Sequence, residues 1–345
     1  MDDFTTVDVV IANGSGQQFT QKVVQLFGGA LSPGKFTCWR SQRVMLGVHI
    51  RMDRILTKGI ITFEPRADTI AKIVEASQQH LSLGSLTPAD ASKLRGMGSW
   101  CSGDTFGRAG RLGLSQLKAR QYDSELNDFS LTPALKGGLE FLTTVLPKLR
   151  PRDVQVFGKL SKPVVVYSDA SWPENVSCEE ALESSIPPRI GWVIFRPGEI
   201  PVGFTLLIDQ CFLSMLLQRK TQIFAAETIV GLIVPLLCPE LVRGRDVTWF
   251  IDNEAAVSSL IRGTSRSEDV GHIAAAAQLA MMAVGARVWY EWVDTKSNPS
   301  DGLSRGGLSD PWTLQRNWLL QEFRASDMLL VKSFLTRPDV KAAAC

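Results

Sequence analysis

Two apolar runs in this sequence end in an aspartate. Residues 164–167 lead through Ser168 to Asp169, and residues 247–251 lead directly to Asp252. Runs this rich in β-branched and aromatic residues predict strands that are buried on both faces. A carboxylate at the end of a buried strand costs free energy unless a cation or hydrogen-bond donors meet it. For Asp169 the structural alternative is a strand-end turn whose backbone amides bind the carboxylate.

Two further acids stand where they can join these aspartates. Glu227 lies in a helix predicted over residues 222–237, on the same apolar face as Val230 and Val234. A buried arginine partner would give Glu227 a structural role, and a metal ion would give it a functional one. Asp301 follows a third predicted strand, residues 287–293, after a short loop.

The order of the predicted elements determines where these acids lie. Short connections join the predicted strands 164–171, 189–197 and 203–209 and favour an antiparallel meander. Helices separate the strands at 247–253 and 287–293, which favours parallel pairing with their carboxyl ends at one edge of a sheet. Four acids at that edge would repel and raise each other's pKa values unless divalent cations relieve the repulsion. A set of carboxylates without histidine or cysteine suits Mg²⁺ or Mn²⁺.

Composition excludes several other classes of protein. A net charge of +2 over 345 residues confines any basic surface to a local patch. The six cysteines contain no CxxC pair and therefore predict neither a zinc site nor a disulfide framework. No apolar run reaches the length of a membrane span, and the acidic N-terminus lacks the pattern of a signal peptide. We therefore expect an intracellular protein, in the cytoplasm or nucleus, that binds no membrane.

The first half of the chain carries helical and basic signals. Thr87-Pro88 and Thr132-Pro133 are typical helix starts, and we expect helices through residues 66–150. Residues 85–122 hold six basic side chains, two acids and several glycines. This pattern predicts either a phosphate-binding surface or an ordinary solvated helical surface. The six basic residues are Lys93, Arg95, Arg108, Arg111, Lys118 and Arg120.

The second half of the chain resembles the ribonuclease H domains of retroelements. Four segments carry the resemblance in order: Tyr167-Ser168-Asp169-Ala170-Ser171, Ala226-Glu227, Ile251-Asp252-Asn253 and Asn298-Pro299-Ser300-Asp301-Gly302-Leu303-Ser304-Arg305. The resemblance covers residues 161–306. It implies an α/β fold with a mixed five-stranded sheet and flanking helices, and two Mg²⁺ ions that Mn²⁺ can replace. It also implies an RNA–DNA hybrid as partner.

The same resemblance implies roles for individual residues. Asp169, Glu227, Asp252 and Asp301 would be the catalytic metal ligands, and Lys296 and Arg305 would contact phosphates. The sequence departs from cellular members of the family, because no histidine lies between Ile273 and Asp301. We expect His49, His80 and His272 to be structural or surface residues.

The N-terminal part resembles the end of a reverse-transcriptase palm followed by a thumb. Met1-Asp2-Asp3-Phe4 resembles the end of the catalytic hairpin, the segment 31–35 with Lys35 resembles the turn after it, and the segment 45–48 resembles the primer-grip strand. The thumb resemblance implies nucleic-acid contacts for Lys93, Arg95, Arg108 and Arg111. We therefore expect a truncated palm remnant over 1–65, a helical thumb or connection over 66–150, the ribonuclease H-like domain over 161–306 and a helical tail over 307–345.

These expectations predict a metal-dependent endonuclease that cleaves the RNA strand of a hybrid and lacks polymerase activity. The alternative is a non-catalytic nucleic-acid-binding remnant of a retroelement polyprotein. A DNA-cleaving transposase or integrase core on the same fold fits less well, because such cores typically use three acids and follow no thumb-like segment.

Overall fold

A computed structural model describes residues 15–28, 42–45, 48–103, 113–123, 128–156, 162–173, 176 and 178–344. Within these ranges the strands form two sheets, a small one in the first half of the chain and a larger one in the second. The predictions that concern Asp2, Asp3, Lys35, Arg108 and Arg111 lie outside the described residues.

The small sheet is antiparallel and takes strands from both ends of the helical segment. Its strands, in spatial order, are β1 (Gln42–Met45), β2 (Val48–Arg51), β3 (Ile60–Pro65) and β4 (Arg152–Gln155). The prediction of one strand over 44–50 is wrong, because Met45 pairs antiparallel with Val48. The apolar pattern is the same for one strand and for two strands that pair, so periodicity could not separate the two possibilities.

Helices dominate the segment between β3 and β4. The helices of the first half are α1 (Ser15–Leu26), α2 (Ile55–Lys58), α3 (Ala67–Leu83), α4 (Pro88–Gly103), α5 (Leu114–Tyr122) and α6 (Pro133–Val145). Both predicted N-caps are present, since the hydroxyl oxygen of Thr87 accepts from Asp90 N (3.2 Å) and that of Thr132 accepts from Leu135 N (3.2 Å). Helix α3 packs on α6, and α4 packs on α5.

The large sheet has six strands. In chain order they are β5 (Val164–Ser171), β6 (Arg189–Phe195), β7 (Val202–Leu207), β8 (Asp246–Ile251), β9 (Arg287–Trp292) and β10 (Leu319–Phe323). Their spatial order is β10-β7-β6-β5-β8-β9, and β6 alone runs against the others. The meander β5-β6-β7 and the parallel strands β5, β8 and β9 are as predicted, so the carboxyl ends of β5 and β8 share one edge.

Helices of the second half cover this sheet and close its connections. They are α7 (Cys178–Glu183), α8 (Gln210–Leu213), α9 (Ile223–Leu237), α10 (Pro239–Val242), α11 (Glu254–Arg262), α12 (Glu268–Val284), α13 (Asp301–Arg305), α14 (Pro311–Leu314), α15 (Met328–Leu335) and α16 (Pro338–Ala344). Helix α9 is buried from Ala225 to Pro235 and packs on β5, β6 and α12. The N-cap at Asn253 and the left-handed Gly263 bound α11 as predicted.

The sixth strand corrects the prediction of a five-stranded sheet and an all-helical tail. Residues 319–323 pair in parallel with β7, although the sequence predicts a helix through 312–323. Apolar residues at 319, 320 and 323 fit a helical period as well as a strand, so pairing with β7 decides between them. The predicted helix over 328–335 is present as α15.

The last helix joins the two halves of the molecule. Helix α16 packs on α6 and on α12, and its Val340 is fully buried. We expect the Ala-rich end through Cys345 to be frayed, but α16 continues through Ala344, and Cys345 lies outside the described residues. Buried apolar residues of the helical segment and of the large sheet belong to one contiguous cluster. Among the described residues, no helix combines the length and apolar character needed to cross a membrane.

Candidate active site

The pairing of β5 with β8 brings two aspartates to the same place. Ser168 is opposite Ile251 in this parallel pair, so Asp169 and Asp252 are the next residues on the two strands. Asp169 lies near the carboxyl end of β5, and the residue is only 5% exposed. A shift of one residue in the pairing would place the two carboxylates on opposite faces of the sheet. The apolar pattern of both strands prevents this shift, because it would expose their buried side chains.

Helix α9 places Glu227 next to Asp169 and Asp252. The residue is 3% exposed, and its Oε1 accepts a hydrogen bond from the backbone N–H of Ala170 (3.1 Å). Ligand oxygens of Asp169, Glu227 and Asp252 all lie within 4.8 Å of one another. We call these three residues the acid cluster.

The acid cluster has unsatisfied acceptors. Oε2 of Glu227 and Oδ1 of Asp252 are buried and have no hydrogen-bond partner. Within the described parts of the chain, no lysine or arginine forms an ion pair with any of the three acids. The buried arginine that would have made Glu227 structural is therefore not found there. Buried polar atoms without partners are rare, and these two oxygens are able to accept a cation.

Burial and mutual repulsion shift the protonation of the cluster. Burial raises the pKa of Asp169 to about 6, the charges of Asp252 and Asp301 act in the same direction, and the Ser304 hydroxyl opposes them. Burial also raises the pKa of Glu227 well above its usual range, helped by Asp169 and Asp252. Without a cation the cluster therefore retains protons near neutral pH, and a bound cation would favour the ionised forms.

Asp301 lies beside the acid cluster and has a partner of its own. It begins α13, its side chain is 37% exposed, and its Oδ1 accepts from Arg305 Nε (2.7 Å). Its charge raises the pKa of Asp169, which places it close to the site. The structure therefore gathers three of the four predicted acids and holds the fourth at the side, paired with a predicted phosphate contact.

The motif around Asp301 is attached to β5 by small polar residues whose roles the sequence did not indicate. Asn298 Nδ2 donates to Ser168 O (3.0 Å), immediately before Asp169. The Ser304 hydroxyl donates to Asp169 Oδ2, and Ser171 Oγ donates to Ser304 O (2.5 Å). These bonds fix α13 against the strand that carries Asp169.

Gly191 makes this close approach feasible. It is opposite Asp169 in the β5–β6 register. A Cβ at this position would lie 2.7 Å from the Cβ of Leu303, closer than real Cβ atoms come. Only glycine therefore lets α13 rest on β6. The glycine within an apolar strand was the available sequence signal for such an approach.

Trp292 is another neighbour that the sequence analysis missed. Its Nε1 donates to the backbone carbonyl of Asp252 (3.1 Å), and the ring remains partly exposed. The indole therefore holds the turn that aims Asp252 into the cluster.

The three histidines are engaged elsewhere. His49 Nδ1 lies 3.2 Å from Glu64 Oε1, and His80 Nδ1 lies 2.9 Å from Ser85 O. His272 is half-buried on α12, and burial lowers its pKa. This agrees with the expectation of structural or surface roles.

The described basic residues of the helical segment differ in whether their charged groups are free to contact a nucleic acid. Lys93 is exposed on α4, whereas Arg95 Nη1 donates to Gln121 Oε1 (2.6 Å). Arg120 is buried and its Nη2 donates to Ser130 O (2.5 Å), so it cannot belong to a basic surface. Composition alone could not separate a buried arginine from an exposed one.

One face of α4 is open. Lys93, Gly96 and Trp100 follow one another at helical spacing on this face, and Trp100 is 55% exposed. No atom lies within 4 Å of the position where Gly96 would carry a Cβ. The ammonium group of Lys93, the uncovered backbone at Gly96 and the indole of Trp100 therefore lie on the same face of α4.

Comparison with known proteins yields weak structural likenesses. No family model matches the chain, and no curated protein sequence matches it. An N-terminal ribonuclease H domain from Mycobacterium tuberculosis, solved as a fusion with maltose-binding protein, is 18% identical with a TM-score of 0.29. That alignment covers 42% of this chain and 91% of the other.

Two foamy viral structures are similar over a longer stretch. The foamy viral protease-reverse transcriptase dRH in complex with double-stranded DNA is 13% identical with a TM-score of 0.32, covering 84% of this chain and 44% of the other. The foamy viral protease-reverse transcriptase in complex with double-stranded DNA is 12% identical with a TM-score of 0.31. That alignment covers 84% of this chain and 52% of the other. This chain thus spans about half the length of the two viral chains. Scores this low decide nothing about function, which rests on the chain's own geometry.

Proposed function

We propose that this chain is a metal-dependent endonuclease that hydrolyses the RNA strand of RNA–DNA hybrids. It would be the ribonuclease H part of a retroelement reverse transcriptase. One observation carries the proposal: three carboxylates from β5, β8 and α9 converge within 4.8 Å at one sheet edge. An ordinary structural site would supply a counter-ion for so many buried acids.

The residues present fit a divalent cation. All three ligands are carboxylates, which suit hard cations such as Mg²⁺, with Mn²⁺ as a substitute. The two buried oxygens without partners, on Glu227 and Asp252, are the groups that a cation would satisfy. We propose that Asp169, Glu227 and Asp252 hold the cations, and that Asp301 completes the set from the side.

Each residue then has a defined task. A pair of Mg²⁺ ions would supply Lewis acidity at the scissile phosphate and lower the pKa of the attacking water. Asp169 and Asp252 present their oxygens from adjacent strand ends, and Glu227 is held by Ala170 N–H. Ser304 keeps Asp169 aimed at the site through its hydroxyl hydrogen bond. Arg305 and Lys296 provide positive charge toward the substrate's phosphates.

The open face of α4 supports a duplex as the partner. Lys93 can meet a phosphate, and the bare backbone at Gly96 lets a groove approach closely. Trp100 offers a rigid aromatic surface on the same face. We propose that the helical segment 66–150 binds the hybrid while the large sheet cuts it.

A non-catalytic nucleic-acid-binding role is the second candidate. The pairing of Asp301 with Arg305 favours it, because a fourth ligand neutralised by an arginine is less available to a cation. In this alternative the acid cluster would bind ions without supporting cleavage.

Cleavage of a labelled RNA–DNA hybrid with and without Mg²⁺ separates the two candidates. We expect Mg²⁺-dependent cleavage by the natural chain and none by Asp252→Asn, which is nearly isosteric but removes a ligand charge. Glu240→Gln on α10 is the matched control, because α10 precedes β8 and lies toward the opposite sheet edge. Hybrid binding without cleavage in either Mg²⁺ or Mn²⁺ would favour the binding remnant.

A further inference from the structure

A pocket opens next to Asp301. It has a volume of about 310 Å³ and lies between the loop after β9, the start of α13 and the start of α14. Lys296, Asp301, Asp310 and Trp312 are the charged and aromatic residues of its lining. A volume near the lower limit of ligand pockets suits one nucleotide and excludes a base pair within a duplex.

The pocket lining has one cation, Lys296, and two carboxylates, Asp301 and Asp310, that are held by other partners. Asp301 is paired with Arg305, and Asp310 Oδ2 accepts from Thr313 N and Thr313 Oγ1, both at 2.7 Å. Among the described residues, the ammonium group of Lys296 has no ion pair or hydrogen bond. The pocket therefore offers a positive group to an anion from outside.

The lining also contains an aromatic ring, that of Trp312, which is both exposed and immobilised. Trp312 is 42% exposed. The guanidinium of Arg316 covers one face of the ring, 4.0 Å from its centroid, so a base would stack on the other face. Trp318 packs at 80° to the ring with centroids 5.7 Å apart. A ring fixed before binding loses little conformational entropy when a base stacks on it.

The packing of α13 on α14 fixes this ring relative to Asp301. Gly302 follows Asp301 directly, and a Cβ there would lie 2.6 Å from Cγ of Asp310. The absence of a side chain at Gly302 therefore lets the N-terminus of α14 seat against α13. Trp312, two residues after Asp310, is positioned by this contact.

We propose that this pocket binds one unpaired nucleotide at the junction where a hybrid meets a single strand. Lys296 takes its phosphate and Trp312 stacks on its base. A base inside a duplex presents no free face to an indole, so a base that reaches Trp312 has left the stack. The inference deepens the proposed function, because it names the form of hybrid that the same site prefers.

The test compares binding of a fluorescently labelled blunt hybrid with binding of two hybrids that carry a one-nucleotide overhang. One overhang extends the 5′ end of the RNA strand and the other its 3′ end. Titrations are made with divalent ions chelated, so that binding is read without cleavage. We expect the natural chain to prefer one overhang by about tenfold, the effect of one stacked base.

Variants assign the preference to the pocket. Trp312→Leu and Lys296→Gln should each bind blunt and overhung hybrids with similar affinity, and Trp312→Phe should restore part of the preference. Trp289→Leu and Lys220→Gln alter exposed residues outside the pocket and should retain it. Equal binding of all hybrids by the natural chain, no binding to any, or an undiminished preference in Trp312→Leu would overturn the proposal.

The same proteins distinguish this inference from the proposed function. If the natural chain cleaves hybrids but shows no overhang preference, the pocket assignment fails and the nuclease assignment stands. If the preference is present and disappears in Trp312→Leu without any cleavage, the pocket binds the nucleotide and the nuclease assignment fails.

Discussion

Asp153 on β4 of the small sheet and Asp169 on β5 of the large sheet are both strand aspartates, but their partners differ. Asp153 Oδ1 accepts from Arg54 Nη2 (2.5 Å) and Thr62 Oγ1 (2.7 Å). Burial works to raise the pKa of Asp153, and the bonds from Arg54 and Thr62 outweigh it and lower the pKa. Asp169 receives a hydroxyl hydrogen bond, has three acids nearby, and has a raised pKa.

The difference separates a carboxylate with a complete set of partners from one that awaits a ligand. Arg54 neutralises Asp153 within the folded chain, so the small sheet needs no bound ion to fold. The large sheet brings three acids together and leaves two of their oxygens without partners. Such an arrangement costs stability when empty and recovers it when a cation binds, which is the thermodynamic pattern of a functional site.

The largest expected effect comes from Glu227→Gln. This change should abolish the rise in unfolding temperature that Mg²⁺ causes and reduce hybrid cleavage by at least about a thousandfold, because a ligand charge is lost. Stability in chelator should stay the same or increase, since repulsion falls. Thermal unfolding with and without Mg²⁺ and a cleavage assay measure both. Glu64→Gln on β3 is the matched control and should keep the Mg²⁺ effect; loss of the Mg²⁺ effect in both variants would contradict the site.

The next effect is on the pH dependence of stability in chelator. The folded pKa of Asp169, about 6, exceeds its unfolded value, so the folded state binds more protons between pH about 4 and 6. The free energy of unfolding should therefore fall as pH rises through this window, by about 3 kcal/mol at most from Asp169. Denaturant titrations across the window measure the slope, and Mg²⁺ should flatten it. Because aspartates with lowered pKa values, such as Asp153 and Asp269, add a slope of opposite sign, the contribution is read as the difference from Asp169→Asn. A difference that rises with pH would exclude a protonated cluster.

A smaller effect is expected for Ser304→Ala. The change removes the hydroxyl hydrogen bond to Asp169 Oδ2 and should weaken Mn²⁺ binding by about 10- to 100-fold, as changes to groups that orient metal ligands do. Titration of Mn²⁺ followed by electron paramagnetic resonance measures it. Ser309→Ala, which removes an exposed hydroxyl hydrogen bond to Gly306 O, should leave Mn²⁺ affinity unchanged. Equal affinities of the two variants would count against the role of Ser304.

The smallest effect belongs to the small sheet. Asp153→Asn should lower the free energy of unfolding by about 1 kcal/mol, because both partners of its ion pair are partly exposed and solvent screens them. The Mg²⁺ response should not change. Denaturant unfolding with and without Mg²⁺ tests both statements, and a loss of the Mg²⁺ response would show that the two sheets are coupled.

The sequence predicted the parts of the site that follow from periodicity. Asp169 and Asp252 end buried apolar runs, and helices between parallel strands place such ends together, so their meeting could be foreseen. Glu227 could be placed because helical spacing puts it on a face with Val230 and Val234. Local patterns of this kind survive folding because the apolar core enforces them.

Features that depend on contacts between distant segments could not be predicted. Nothing in residues 319–323 indicates which strand they would pair with, and the apolar pattern also fits a helix. The attachment of Asn298 to Ser168 joins residues 130 positions apart, and the choice of this partner belongs to the folded chain alone.

Helix α16 has a mechanical consequence. Two parts of a chain joined by a proline-punctuated linker would by default swing against each other. Here Val340 is fully buried in a helix that packs on α6 and α12 at the same time. Swinging would have to pull that side chain into water, at a cost of about 1.5–3 kcal/mol for a buried aliphatic residue. The helix therefore acts as a brace that resists movement of α6, and of the helical segment to which α6 belongs, relative to α12.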